Sequence, residues 1–97
     1  MTTHPHTDAT APAPPVVDLN RAVAVAMVDG LPAGLRMVDE VAASGLLDGY
    51  HLLPATRADL LRRAGRAAEA KEAYEQALEL APTEAERRYL TSRLHEL

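Results

Sequence analysis

The chain has 97 residues and a mass of 10.4 kDa, which allows one small domain. It contains no Cys, Trp or Phe, which excludes a disulfide scaffold, a thiolate zinc site and a cysteine nucleophile; a core of Ala, Leu and Val points to closely packed helices. The net charge is −4: two basic against six acidic residues in the first fifty positions, then eight of each, so neither half offers nucleic acid a basic face.

Residues 1–15 hold four prolines and four threonines and no large apolar side chain after Met1. They cannot bury enough surface to offset backbone ordering and are expected to form a disordered tail ahead of a helical domain over residues 16–97. His4 and His6 are read as solvated histidines, since no third ligand or rigid scaffold accompanies them. The segment also lacks the charged and apolar regions of a signal peptide, and no apolar run reaches the roughly 18 residues that span a bilayer. The cytoplasm is the expected location.

The run Val16–Val28 alternates Ala and Val near its end, as a strand would, but its length and alanine content favour a helix over Asp18–Val28. Asp18 is its expected cap and Gly30 its expected stop. Being apolar all round, this helix is expected to be mostly buried. A second helix opens at Leu31-Pro32-Ala33, buries the stripe Leu35, Val38, Val41 and Ala42, and ends at Ser44-Gly45. A third runs over about Tyr50–Ala64, with Pro54 in its first turn and Gly65 ending it. The fourth, Ala67–Leu80, carries Ala70, Ala73, Tyr74, Ala77 and Leu78 at helical spacing and stops at Pro82. Thr83 and Glu86 form a capping box for the fifth, which turns Leu90, Leu94 and Leu97 inward and leaves His95 partly buried.

Ala70, Tyr74, Ala77 and Pro82 match the second half of a tetratricopeptide repeat, and Gly30 and Gly65 mark a turn in two successive hairpins. In the first half of the pattern Ala58 and Leu61 fit, whereas Pro54 and Arg57 stand where large apolar residues are expected. The architecture read from this is all-α: a tetratricopeptide-like stack of two helical hairpins plus a C-terminal capping helix. An irregular bundle is the other arrangement the pattern allows.

The segments Val17-Asp18-Leu19-Asn20-Arg21-Ala22-Val23-Ala24-Val25-Ala26 and Tyr50-His51-Leu52-Leu53-Pro54-Ala55-Thr56-Arg57-Ala58-Asp59-Leu60-Leu61-Arg62-Arg63, followed by Ala73–Leu78 and Glu86–Leu90, carry a more specific likeness. Over about Pro14–Leu97 the chain resembles the C-terminal extension of a subgroup of extracytoplasmic-function RNA polymerase sigma factors. That extension is tetratricopeptide-like and follows two DNA- and polymerase-binding regions, neither of which fits in 97 residues. The resemblance implies a protein-interaction module acting in transcription, with sigma regions, RNA polymerase or a regulator as partner. A free-standing adaptor or small-ligand carrier unrelated to transcription is the alternative.

An enzyme is not expected. The serines have no histidine at a useful spacing, no Gly-rich phosphate loop exists, and Glu69, Glu72, Glu75 and Glu79 read as a solvated helix face. No cofactor, metal site or direct DNA contact is expected. What remains is a surface. In tetratricopeptide stacks the first helix of each hairpin lines the groove, which on the third helix selects Leu52, Ala55, Asp59, Arg62 and Arg63. The two arginines would meet a partner's carboxylates, or serve only as solvated charges.

Overall fold

The computed structural model describes residues 15–97, and these form five helices in the order hairpin, hairpin, single helix: α1 (Pro15–Asp29), α2 (Leu31–Ser44), α3 (Leu52–Arg63), α4 (Ala67–Leu80) and α5 (Glu84–His95). α1 packs against α2 and α3 against α4; α2 and α1 both touch α3, and α4 carries α5. The architecture is the expected all-α stack of two hairpins and a closing helix. The expected tail lies outside the described residues apart from Pro15. That proline opens α1, where it forfeits no hydrogen bond. Asp18 therefore stands within the first turn, with its charge toward the positive end of the helix, instead of capping it.

One core runs through the stack, built from Leu19, Ala22, Ala26, Leu35, Val38, Ala55, Ala58, Leu60, Leu61, Ala70, Ala73, Tyr74, Ala77 and Leu90. Alanine is the commonest residue in it, and small side chains let the helix axes approach. The closest approach needs still less. A Cβ at Gly34 on α2 would lie 2.5 Å from the Cβ of Ala26 and 2.8 Å from the carbonyl oxygen of Ala22, both on α1. Gly34 is thus buried in the stripe that Leu35, Val38 and Val41 continue, while Ala42 faces solvent. Pro54 lies early in α3 and is buried with Ala55 and Ala58. Arg57, at a position suited to an apolar residue, instead reaches α2 and pairs with Asp39 at 3.1 Å.

The two hairpin turns are not equivalent, against the expectation from Gly30 and Gly65. Gly30 alone joins α1 to α2, with φ 102° and ψ 158°, and precedes Leu31 directly. Gly65 follows α3 in a left-handed cap. Its N–H donates to the Arg62 carbonyl at 3.0 Å, and that of Arg66 donates to the Leu61 carbonyl at 2.9 Å. This paired closure satisfies the last turn of α3 and turns the chain into α4. At the start of α5 the Thr83 hydroxyl accepts from the Glu86 N–H at 3.2 Å, as a capping box requires. The reciprocal bond is missing because the Glu86 carboxylate turns away to the Nε2 of His51, a buried imidazole at the start of α3. At the far end of α5, His95 and Leu97 are exposed, contrary to the inward placement read from the pattern. α5 ends at His95, so Leu97 lies past its last turn.

Candidate functional site

Side-chain contacts set α3 between α1 and α5. Arg63 Nη1 donates to Met27 Sδ on α1 at 3.5 Å, and Asp59 accepts from the Tyr89 hydroxyl on α5 at 3.1 Å. The candidate residues occupy this side of α3, but they divide into three kinds. Leu52 is partly exposed at the N-terminal end, about 16 Å along the helix from Arg63. Ala55 offers no surface to a partner: it is 6% exposed and belongs to the core, where a methyl group suits the close approach of neighbouring helices. This corrects its assignment to the groove.

Asp59 and Arg62 are brought together through Tyr74. The ring of Tyr74 is fully buried between α3 and α4, and its hydroxyl emerges beside α3, where it donates to Asp59 Oδ1 and accepts from Arg62 Nε at 3.2 Å. Burial, reinforced by the hydrogen bond to Asp59, pushes the Tyr74 phenol up to about 12. It therefore stays a neutral donor throughout the physiological range. Tyr89 adds the second phenol on Asp59, and Arg93 stacks over the Tyr89 ring with its guanidinium 5.2 Å from the centroid. Arg93 Nε also donates to the Tyr89 hydroxyl at 3.3 Å, and its Nη1 pairs with Glu96 at 2.9 Å; these bonds raise its pKa further above the arginine range. One carboxylate thus gathers three helices, with two arginines fixed at its edge.

Arg63 is different. It is exposed, its described neighbour is the sulfur of Met27, and it meets no carboxylate among the described residues. Met27 is 71% exposed. An unpaired guanidinium beside an apolar side chain can take a partner's carboxylate and its aliphatic stem together. Sequence reasoning found Arg63 but missed Met27, Tyr89 and Arg93. Helical spacing within one segment reports a shared face, whereas these three come from other helices.

Elsewhere the polar groups pair locally. Arg66 and Glu69 form a two-pronged exposed pair at 2.7 Å, which raises the arginine and lowers the carboxyl pKa. Among the described residues no group of three or more His, Asp or Glu could hold a metal ion, and no helix is long and apolar enough to cross a membrane. On another part of the surface an open hollow of about 330 Å³ is bounded by Leu47, Tyr50, Leu53, Pro54, Arg57 and Leu80.

Comparison with known proteins finds a relative in Rhizobium meliloti (strain 1021), an uncharacterised protein 41% identical over 83 residues. The match takes in 86% of this chain but 19% of the relative, so the chain spans about a fifth of that protein's length. No family model matches the sequence. No solved structure matches it either.

Proposed function

We propose that this chain is a cytoplasmic protein-interaction module without catalytic activity, acting in transcription initiation or its regulation through protein contacts, as its resemblance to a sigma-factor extension implies. The observation that carries the reading is the Arg63–Met27 edge, an exposed cation without a carboxylate partner among the described residues, next to an exposed apolar side chain. A partner segment with an acidic residue flanked by aliphatic ones fits it. Leu52 would extend the apolar contact along α3, while Arg62 and Asp59 hold the surface in shape from within.

The test is binding of the full chain to purified sigma regions and to RNA polymerase by biolayer interferometry. Arg63→Glu is the discriminating variant, because Arg62→Glu would also break the bond to Tyr74. Binding weakened about tenfold or more by Arg63→Glu supports the reading. No binding to either protein, or binding indifferent to Arg63, overturns it. The alternative, a small-ligand carrier, is favoured by the hollow beside Tyr50 and Leu53, whose volume falls at the lower end for ligand sites. An apolar dye that binds the native chain and is lost in Leu53→Lys would support that alternative.

A further inference from the structure

The two ends of the stack differ in chemistry. The outer side of α5 carries Glu84, Arg87, Arg88, Thr91, Ser92 and His95, a polar surface of the kind that closes a helical stack. α1 at the opposite end was expected to be buried, but only Leu19, Ala22 and Ala26 are. Its other side exposes Val16, Val17, Val23, Met27 and Val28, the last at 82%.

These residues have an order. Val16, Asn20, Val23 and Met27 follow one another at intervals of four, three and four, the spacing of a heptad seam. Val17 and Ala24 flank them. Asp18 and Arg21 pair with each other at 3.6 Å to one side. The seam holds one polar residue, Asn20, at a position where a single asparagine fixes register and strand number in paired helices at some cost in affinity. We infer that this seam is a self-association surface: α1 of a second copy packs against it in parallel across a two-fold axis, with the two Asn20 side chains facing each other.

Two observations select a second copy. The α5 end of another copy would bury Glu84, Arg87 and Arg88 against valines, so head-to-tail stacking is disfavoured and like must meet like. The Asn20 amide is both donor and acceptor, and an identical amide across a two-fold axis satisfies it. α1 is already held helical by α2 and α3, so pairing escapes the ordering cost that leaves an isolated two-heptad peptide marginal. Arg63 sits at the exposed rim beside Met27, where salt screens its repulsion from its counterpart; because pairing takes up Met27, the dimer competes with a partner segment for that edge. One helix per copy, about 22 Å long, covers less than the roughly 800 Å² per partner of a stable complex, so the dimer is reversible and concentration-dependent.

Sedimentation equilibrium of the full chain across a range of concentrations tests this. The expected result is a monomer–dimer equilibrium that Met27→Lys weakens at least about tenfold and Asn20→Val tightens by a similar factor. Both sites are exposed, and thermal melts unchanged at concentrations low enough for the monomer establish that the variants are folded. A chain that stays monomeric at every concentration overturns the inference. So does a dimer indifferent to Met27→Lys, or an Asn20→Val chain that associates no more tightly.

Discussion

Gly34→Ala puts two established effects in direct opposition at one atom. In an unobstructed helix the change is worth about 1 kcal/mol in favour of folding, through helix propensity and lost freedom of the unfolded chain. Here the new methyl would stand 2.5 Å from the Ala26 Cβ, 2.8 Å from the Ala22 carbonyl oxygen and 3.0 Å from the Ala26 Cα. None of these is the far end of a flexible side chain, so α1 and α2 must separate by about 1 Å, far enough to forfeit a quarter to a half of each contact across their seam. Overpacking of this kind costs about 1–3 kcal/mol, and backbone neighbours place this site at the upper end. The net expectation is a loss of about 1–2 kcal/mol, a sizeable part of the total for a domain this small. Urea unfolding followed by circular dichroism measures it directly. Ala26→Gly in the same chain should recover part of the loss by removing the nearest clash. A Gly34→Ala chain more stable than the parent would show that the α1–α2 approach is looser than described and refute the reasoning.

Other consequences concern Tyr74, Thr83 and nucleic acid. Tyr74→Ala should cost about 3 kcal/mol or more by emptying a fully buried ring site, read from the same unfolding curves. Because the Tyr74 pKa is raised on folding, the unfolded chain loses that proton first. The resulting stability is complete below pH 10 and is lost as pH rises toward 12, with a slope approaching about 1.4 kcal/mol per pH unit. Tyr74→Phe should remove that part of the alkaline destabilisation, seen as an unfolding midpoint that falls less steeply than the parent's from pH 9 to 12. Thr83→Ala should cost about 1 kcal/mol, the worth of the single cap bond formed, and Thr83→Ser should restore most of it on thermal melting. Labelled duplex DNA should show no sub-micromolar, salt-sensitive binding by fluorescence anisotropy at about 0.15 M salt, since the basic residues are matched by acidic ones.

Local chemistry explains which parts of this fold were legible. α4 runs over Ala67–Leu80, the bounds read from the sequence, because Gly65, Pro82 and an unbroken 3.6-residue period define it within its own segment. α1 was legible as a helix but not in its burial. An all-apolar pattern says that every face could be covered, whereas the neighbours present cover only one. The candidate surface shows the same division. Arg62 and Arg63 are adjacent in sequence and about 100° apart around α3, so one is drawn to the Tyr74 hydroxyl and the other to Met27. Glu86 had a local partner in the Thr83 N–H, and the capping-box spacing pointed to it. The imidazole of His51, brought from the start of α3 only by the fold, won the carboxylate instead.

The fastening of α5 bears on how the molecule comes apart. Stacks of helical pairs ordinarily fray from their ends, since each unit touches only its neighbours. Here the last helix is tied past its neighbour to α3 twice, by Tyr89 on Asp59 and by Glu86 on His51, and to the end of α4 by Arg87 on the Leu78 carbonyl. Opening α5 therefore strips the Asp59 carboxylate of one phenol and parts the Glu86 carboxylate from His51, losses that are shared by α3 and not confined to the helix that leaves. Amide protons of α5 should consequently exchange with solvent at rates closer to those of α3 than to those of a free helix end, so that the C-terminal half of the chain opens as one unit.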